Sequence, residues 1–327
     1  AVDEPRQLLA RAEERIFAIL ERRASTDAKP IAAVLEDVMI RMDARMQHDH
    51  AIGGVETGFT ELDSLCGGLH NSELIILAAR PSMGKTAFAM NIAEHVAIGL
   101  QHPVLFVSLE MACLELADRL LCSSAQVNGN RLRNGTISQE DRRRLVQKSA
   151  EIGTAPLYID DTPGRTLTEI AAVARRLKRK KGLSLVVIDY LQLIEPDNPR
   201  DPRQEQVARI ARRLKLMSRE LEIPVLCLAQ LNRQAEASRD NRPRLNHLRE
   251  SGAIEQDADV VMFVHREEYY QSSEEEKERV RGQAEIMVAK QRNGPTDDVK
   301  LLWQQEYTRF VNLEHRPYDE FEQFSGF

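Results

Sequence analysis

Four short segments of this sequence are almost wholly apolar: "LIILAA" (74–79), "VLFVSL" (104–109), "LSLVVID" (183–189) and "VLCLAQ" (225–230). A strand with one wet face alternates apolar and polar residues, so a run that is apolar throughout must be covered on both faces. Helix-sized stretches separate these runs. A parallel strand pair needs a long crossover, usually a helix, so the two features together specify helices packed on a parallel sheet. "VVMFV" (260–264) extends the series. "AEIMVAK" (284–290), "VKLLWQ" (299–304) and "RFVNLE" (309–314) follow too closely for helical crossovers and read as an antiparallel meander. The expectation is an α/β fold with a mainly parallel central sheet flanked by helices.

Composition narrows the class further. The 327 residues are 42% hydrophobic and 29% charged, which is globular rather than disordered. No apolar run approaches the ~18 residues of a membrane helix, and no basic-then-apolar leader opens the sequence, so a cytoplasmic location is expected. Cys66, Cys113, Cys122 and Cys227 show no C-x-x-C spacing and read as thiols in a reducing compartment, not as a zinc site. The net charge is −6, yet residues 200–250 hold twelve Arg or Lys against seven Asp or Glu.

Ahead of the strands lie two helical patterns. Leu9, Ala12, Ile16 and Ile19 form one apolar stripe; after "ASTDAKP", Ile31, Val34, Leu35, Val38, Met42 and Met46 form another. A lone helix with one apolar face needs a surface to dock on, in the same chain or in a neighbouring subunit. The division expected is a helical linker region at 1–50, the α/β domain at 51–315 and a tail at 316–327.

The first strand runs into "RPSMGKT" (80–86) and then the amphipathic "KTAFAMNIAEHVA", with Phe88, Ile92 and Val96 on one side. A phosphate-binding loop requires Gly, four free positions, then Gly-Lys-Ser/Thr between a strand and a helix. Gly84, Lys85 and Thr86 match, and Ala79 replaces the first glycine, at a strand end where a methyl group costs little. Unpaired N–H groups and the positive helix end suit a phosphate. Lys85 would reach the β- and γ-phosphates of ATP, and the Thr86 hydroxyl would hold Mg²⁺.

Three other strand ends carry polar groups suited to the same chemistry. "LSLVVID" delivers Asp189, a carboxylate for the Mg²⁺ water shell. "VLFVSLEM" places Glu110 where a general base could polarise the attacking water. "VLCLAQLNR" sets Gln230 where it could hydrogen-bond the γ-phosphate or that water.

With those residues assembled, the sequence resembles the bacterial replicative DNA helicases of the DnaB type, within the RecA-like ATPases. The resemblance runs from about Ala12 to Glu314 and is carried by "GVETGFTELDSLCGGL", "ARPSMGKT", "SLEM", "IDYLQL", "QLNR", "LRESGAIEQDADVV" and "AKQRNGPT". It implies a RecA-like P-loop fold and a homo-hexameric ring that moves along single-stranded DNA, unwinding duplex at a replication fork. It also implies ATP between subunits, with Lys290, Gln291 and Arg292 of "AKQRNG" near the nucleotide and Arg292 acting on the neighbour's γ-phosphate. By the same resemblance Ser82, Gly84, Lys85, Thr86 and Ala87 line the phosphates, and Arg119 lies near the base or ribose. Catalysis would rest on Glu110, Lys85 and Arg292.

For DNA, the resemblance points to Arg249, Glu250 and Gly252 as the strand-gripping loop. A guanidinium fork can bind one phosphate, and a glycine N–H can approach another. "DNPRDPRQ" (197–204), with Arg200 and Arg203, is a second candidate; "RRLKRKKG" (175–182) reads as a solvated outer face. Asp297 and Asp298 depart from the family, which usually has a glycine near 297, and add negative charge close to Arg292. Full-length members carry a helical N-terminal domain that engages primase. This sequence opens at what resembles the connecting helix (6–23), and a helicase loader and primase are the further partners implied. A RecA-like ATP-gated assembly or recombination accessory protein that does not unwind stays open as the alternative.

Overall fold

The computed structural model describes residues 30–47, 53–232, 241–271 and 273–313. The chain divides into two units, Ala1–Ala51 and Ile52–Phe327. In the first, helix α1 (Ile31–Gln47) carries the second of the two apolar stripes, and Ile31, Val34, Leu35, Val38 and Met42 are exposed on it. The stripe at Leu9–Ile19 and the tail at 316–327 lie outside the described residues.

The second unit is built on one nine-stranded sheet, in the order β3-β2-β4-β5-β1-β6-β7-β8-β9. Its strands are β1 (Leu74–Ala79), β2 (Val104–Ser108), β3 (Leu157–Asp160), β4 (Leu185–Asp189), β5 (Val225–Gln230), β6 (Val260–His265), β7 (Gln283–Gln291), β8 (Asp298–Gln304) and β9 (Arg309–Asn312). Strands β1 to β6 are parallel and β6 to β9 antiparallel, so β6 joins the two halves. The expected α/β architecture is therefore present. Strand β3 is not among the apolar runs: its four residues are all half-buried, as suits the sheet's edge.

The helices of this unit are α2 (Thr60–Cys66), α3 (Lys85–Glu94), α4 (Cys113–Ala125), α5 (Gly129–Arg133), α6 (Gln139–Thr154), α7 (Leu167–Lys181), α8 (Arg203–Leu221), α9 (Gly252–Asp257) and α10 (Glu274–Arg279). Strand side chains alternate between two cores. Ile75, Leu77, Phe106, Val187 and Leu228 share one with Phe88 and Ile92 of α3 and with Leu116 and Leu120 of α4. Leu74, Ile76, Leu105, Val186 and Cys227 share the other with Ile170 of α7 and Leu214 of α8. That two-sided burial is why these strands read as continuously apolar. In the meander the alternation returns: Val299, Leu301 and Trp303 of β8 point inward and the residues between them do not.

Parallel strands in register bring their C-terminal ends to one sheet edge. Ala79 sits opposite Gln230, and Ser108 opposite Asp189. The basic run at 175–182 lies mostly on α7, where Arg175 pairs with Glu220 and Lys178 donates to the Leu221 carbonyl, a surface role.

Candidate active site

From that edge the chain leaves β1 in a tight turn and enters α3. Ser82 and Gly84 both adopt left-handed backbone, with φ of +67° and +96°. Gly84 is the N-cap residue, and no side chain caps the helix, so its leading N–H groups face outward unpaired by a cap. The glycine is required twice over: a Cβ there would lie 3.0 Å from Phe310 Cζ, in addition to the unfavourable φ.

Lys85 and Thr86 both turn toward Asp189 at the end of β4. The Thr86 hydroxyl donates to Asp189 Oδ2 at 2.6 Å, and Lys85 Nζ lies 3.4 Å from Oδ1. The carboxylate is 1% exposed, and its Oδ1 accepts no hydrogen bond among the described residues. A buried carboxylate oxygen beside a hydroxyl is a hard-oxygen pair suited to a small divalent cation that keeps most of its ligands as water or phosphate. Lys85 Nζ also sits 4.2 Å above the Tyr190 ring, so its stem is fixed by an aromatic face.

Glu110 follows β2 and is exposed. Its charge is felt across the site: burial, then Glu110 and Asp189, push the Tyr190 phenol above its ordinary range. Gln230 closes β5 with its side chain exposed, while its backbone N–H and carbonyl are both bound by the Gln192 amide at 3.2 and 3.1 Å. Ala87, half-buried on α3, packs against the core behind the loop. Arg119 of α4 lines a cleft of about 770 Å³ with Asp118, Arg133 and Thr308.

Lys290, Gln291 and Arg292 stand elsewhere. The Arg292 N–H donates to the Asp259 carbonyl, and the Asp259 N–H to the Leu74 carbonyl, which puts Arg292 level with the start of β1. Lys85 lies beyond the other end of that strand, and five residue steps alone span about 17 Å. Within one chain the two cations do not meet. Lys290 donates to the carbonyls of Glu255 and Ala258, and Arg292 to that of Gln256, so both hold the C-terminal end of α9. Burial, and then Arg292, lower the Lys290 pKa. Gln291 points the opposite way, toward Cys66.

Arg292 pairs with Asp259 at 3.5 Å and not with the acidic pair at 297–298. Asp298 is bound instead by Arg242, which also reaches Glu285, both at 2.7 Å. Arg249 and Glu250 fall in the helical turn Leu245–Ser251, and Gly252 begins α9. Arg203 donates to Gln192 and Gln206. Sequence reasoning missed Tyr190 under Lys85, Asp259 beside Arg292 and the aromatic pair behind Gly84, because none belongs to a motif and each arrives by tertiary packing.

Comparison with known proteins gives these residues a family. Residues 54–312 match the model of the DnaB-like helicase C terminal domain. The chain is 44% identical over 319 residues to the replicative DNA helicase DnaB of Geobacillus stearothermophilus, across 97% of this chain and 69% of that protein. It is 43% identical to the replicative DNA helicase DnaC of Bacillus subtilis, across 96% and 68%. Among solved structures, a free-standing ATPase domain superposes with a TM-score of 0.82 at 38% identity, over 88% of this chain and 100% of that one. A DnaB-like replicative helicase, described with its interactions with primase, gives 0.79 at 37% over 92% and 72%. The chain belongs to the DnaB-like family of replicative DNA helicases.

Proposed function

We propose that this helicase hydrolyses ATP at the edge of the parallel sheet and couples each turnover to movement along single-stranded DNA. One observation carries the reading: Lys85 and Thr86 converge on a buried Asp189, while Arg292 stands at the far end of the same strands. A site of this kind is complete only when a second subunit lends its far end to the first. That supports a homo-hexameric ring with ATP between subunits.

In this reading the open N–H groups at Ser82, Gly84 and Ala87 cradle the phosphates, and Lys85 neutralises the β- and γ-oxygens. Thr86 and Asp189 would hold Mg²⁺, and the unpartnered Asp189 oxygen is the observation that fits it. When bound, that ion neutralises phosphate charge. Glu110 takes the proton of the attacking water, and Gln230 orients it. Arg292 of one subunit, backed by Lys290, neutralises the charge that spreads over the transferring phosphoryl group of the next. Such a finger accelerates hydrolysis by ~10³-fold or more. Arg119 meets the base or ribose. Arg249, Glu250 and Gly252 grip the DNA backbone without reading sequence, and a loader and primase are the partners of the assembled ring.

The test is the ATPase rate of the full chain with and without single-stranded DNA, for wild type and Lys85→Ala. DNA should raise the wild-type rate, and the substitution should lower it about 100-fold or more, as loss of a phosphate-stabilising donor does. A rate indifferent to both changes contradicts the reading.

A further inference from the structure

Behind the phosphate loop lies a buried cation that nothing above uses. Strand β6 ends at His265, and Arg266 turns inward beneath the loop, 7% exposed. Its Nη1 donates to the carbonyl of Ser82 at 3.4 Å, and its Nη2 to Glu268 Oε1 at 3.2 Å. The guanidinium lies 4.6 Å over the Trp303 ring. Glu268 in turn accepts the Gly282 N–H at 2.8 Å, which fixes the carboxylate to the start of the meander. Trp303 packs on Phe310 with centroids 4.6 Å apart, and both rings lie against the position a Gly84 side chain would occupy.

Burying a guanidinium is unfavourable unless its charge and its donors are used. Glu268 balances the charge. The donors are used incompletely, since Arg266 Nε has no hydrogen-bond partner among the described residues. An apolar side chain would fill the same space against Trp303 without that desolvation penalty, so packing alone does not account for an arginine. What the arginine adds is a grip on Ser82, a serine in left-handed backbone that most non-glycine residues avoid. It also adds a permanent positive charge on the protein side of the loop, where little water screens it.

We propose that Arg266 is a positioning residue for the phosphate loop. It holds the Ser82 carbonyl so that the loop keeps its open shape, and it sets a fixed cation beneath the bound triphosphate. Trp303, stacked on that cation and lying behind Gly84, reports the loop's state. This role rests on the reading of the loop as an ATP site.

The experiment is equilibrium binding of ATP with Mg²⁺ to the full chain, followed by dialysis and by tryptophan emission in parallel. Trp303 is the chain's one tryptophan, so the emission has a single source. Arg266→Gln should weaken ATP about tenfold and shift the nucleotide-free emission, because the ring loses its cation. Arg266→Lys keeps the charge but not the planar fork and should lose about threefold, a partial rescue. Glu268→Gln leaves the arginine in place but loosens it and should fall between wild type and Arg266→Gln. A glutamine variant that melts as wild type, shows the shifted emission and still binds ATP at wild-type strength overturns the role. If that variant does not fold, unchanged affinity in both Arg266→Lys and Glu268→Gln overturns it equally. A wild-type chain that fails to bind ATP in dialysis refutes the ATP-site reading itself, and the role of Arg266 falls with it.

Discussion

Replacing Gly84 with alanine places two separable strains on the phosphate loop. The first is conformational. Gly84 has φ +96° and ψ 20°, and an L-residue held in left-handed backbone costs about 1–2 kcal/mol. The second is steric. The new Cβ would sit 3.0 and 3.1 Å from the Phe310 ring and 3.4 Å from Trp303. Phe310 cannot withdraw, because it is buried between Trp303 and Phe88, with ring centroids at 4.6 and 5.5 Å. Overpacking of that kind costs about 1–3 kcal/mol, which brings the total to about 2–5 kcal/mol. If the loop keeps its shape, the whole cost falls on folding, and the melting temperature drops by about 2–4 °C per kcal/mol for a domain of this size. If the free loop relaxes, the cost reappears on binding, at tenfold in ATP affinity for each ~1.4 kcal/mol. Calorimetric melting and an ATP titration measure both shares, and their sum should lie near 2–5 kcal/mol whatever the split. Phe310→Leu in the same background should return the steric share and leave the conformational one, read as a coupling energy in the double-mutant cycle. A Gly84→Ala variant that neither melts earlier nor binds more weakly refutes the geometry assigned to the loop. So does a cycle with no coupling.

Three other outcomes follow from the site. Burial pushes the Cys66 thiol up to about 11, from an ordinary 9.0, and Cys113 is the exposed cysteine. At pH 8 the Cys66 thiolate fraction falls about 100-fold, so iodoacetamide should modify native Cys113 well before Cys66, and the reverse order in a peptide map contradicts this. Asp189→Asn removes the buried carboxylate offered to the metal: chelating Mg²⁺ should weaken ATP binding to wild type and change little in the variant, as isothermal titration would show. Arg249→Ala should weaken single-stranded DNA of every sequence alike and flatten the salt slope by about one, and a sequence-selective loss in filter binding would argue against a backbone grip.

Much of this architecture is legible in the chain. Strands β1, β2, β4 and β5 announce themselves because burial on both faces leaves no polar position to blur the pattern, and the strand-turn-helix around Gly84 follows from three adjacent residues. Strand β3 is not legible: "LYID" is short, half-buried and shielded on one side only, so neither alternation nor a continuous apolar run marks it. The orientation of β6 is equally hidden, since an apolar run says nothing about whether its partners lie parallel on one side and antiparallel on the other. At the site, the groups that a phosphate chemistry demands are visible as motif positions. The groups that hold them are not. Tyr190 under Lys85, Arg266 under Ser82 and Asp259 beside Arg292 each sit far in sequence from, or outside, the spacing rules that flag their partners. The concern raised by Asp297 and Asp298 dissolves for a similar reason: Arg242, more than fifty residues away in sequence, takes the charge of Asp298.

The most direct measurement mixes two variants that each lack one half of the site. Lys85→Ala retains Arg292, and Arg292→Ala retains Lys85, so at a shared interface the loop of one and the finger of the other form an intact pair. In rings assembled from equal parts of the two, about one interface in four should be intact, and ATPase activity should return to roughly a quarter of wild type although neither variant turns over alone. A mixture no more active than its separate components would mean that one chain carries the whole site, which the opposite-end placement of Lys85 and Arg292 forbids.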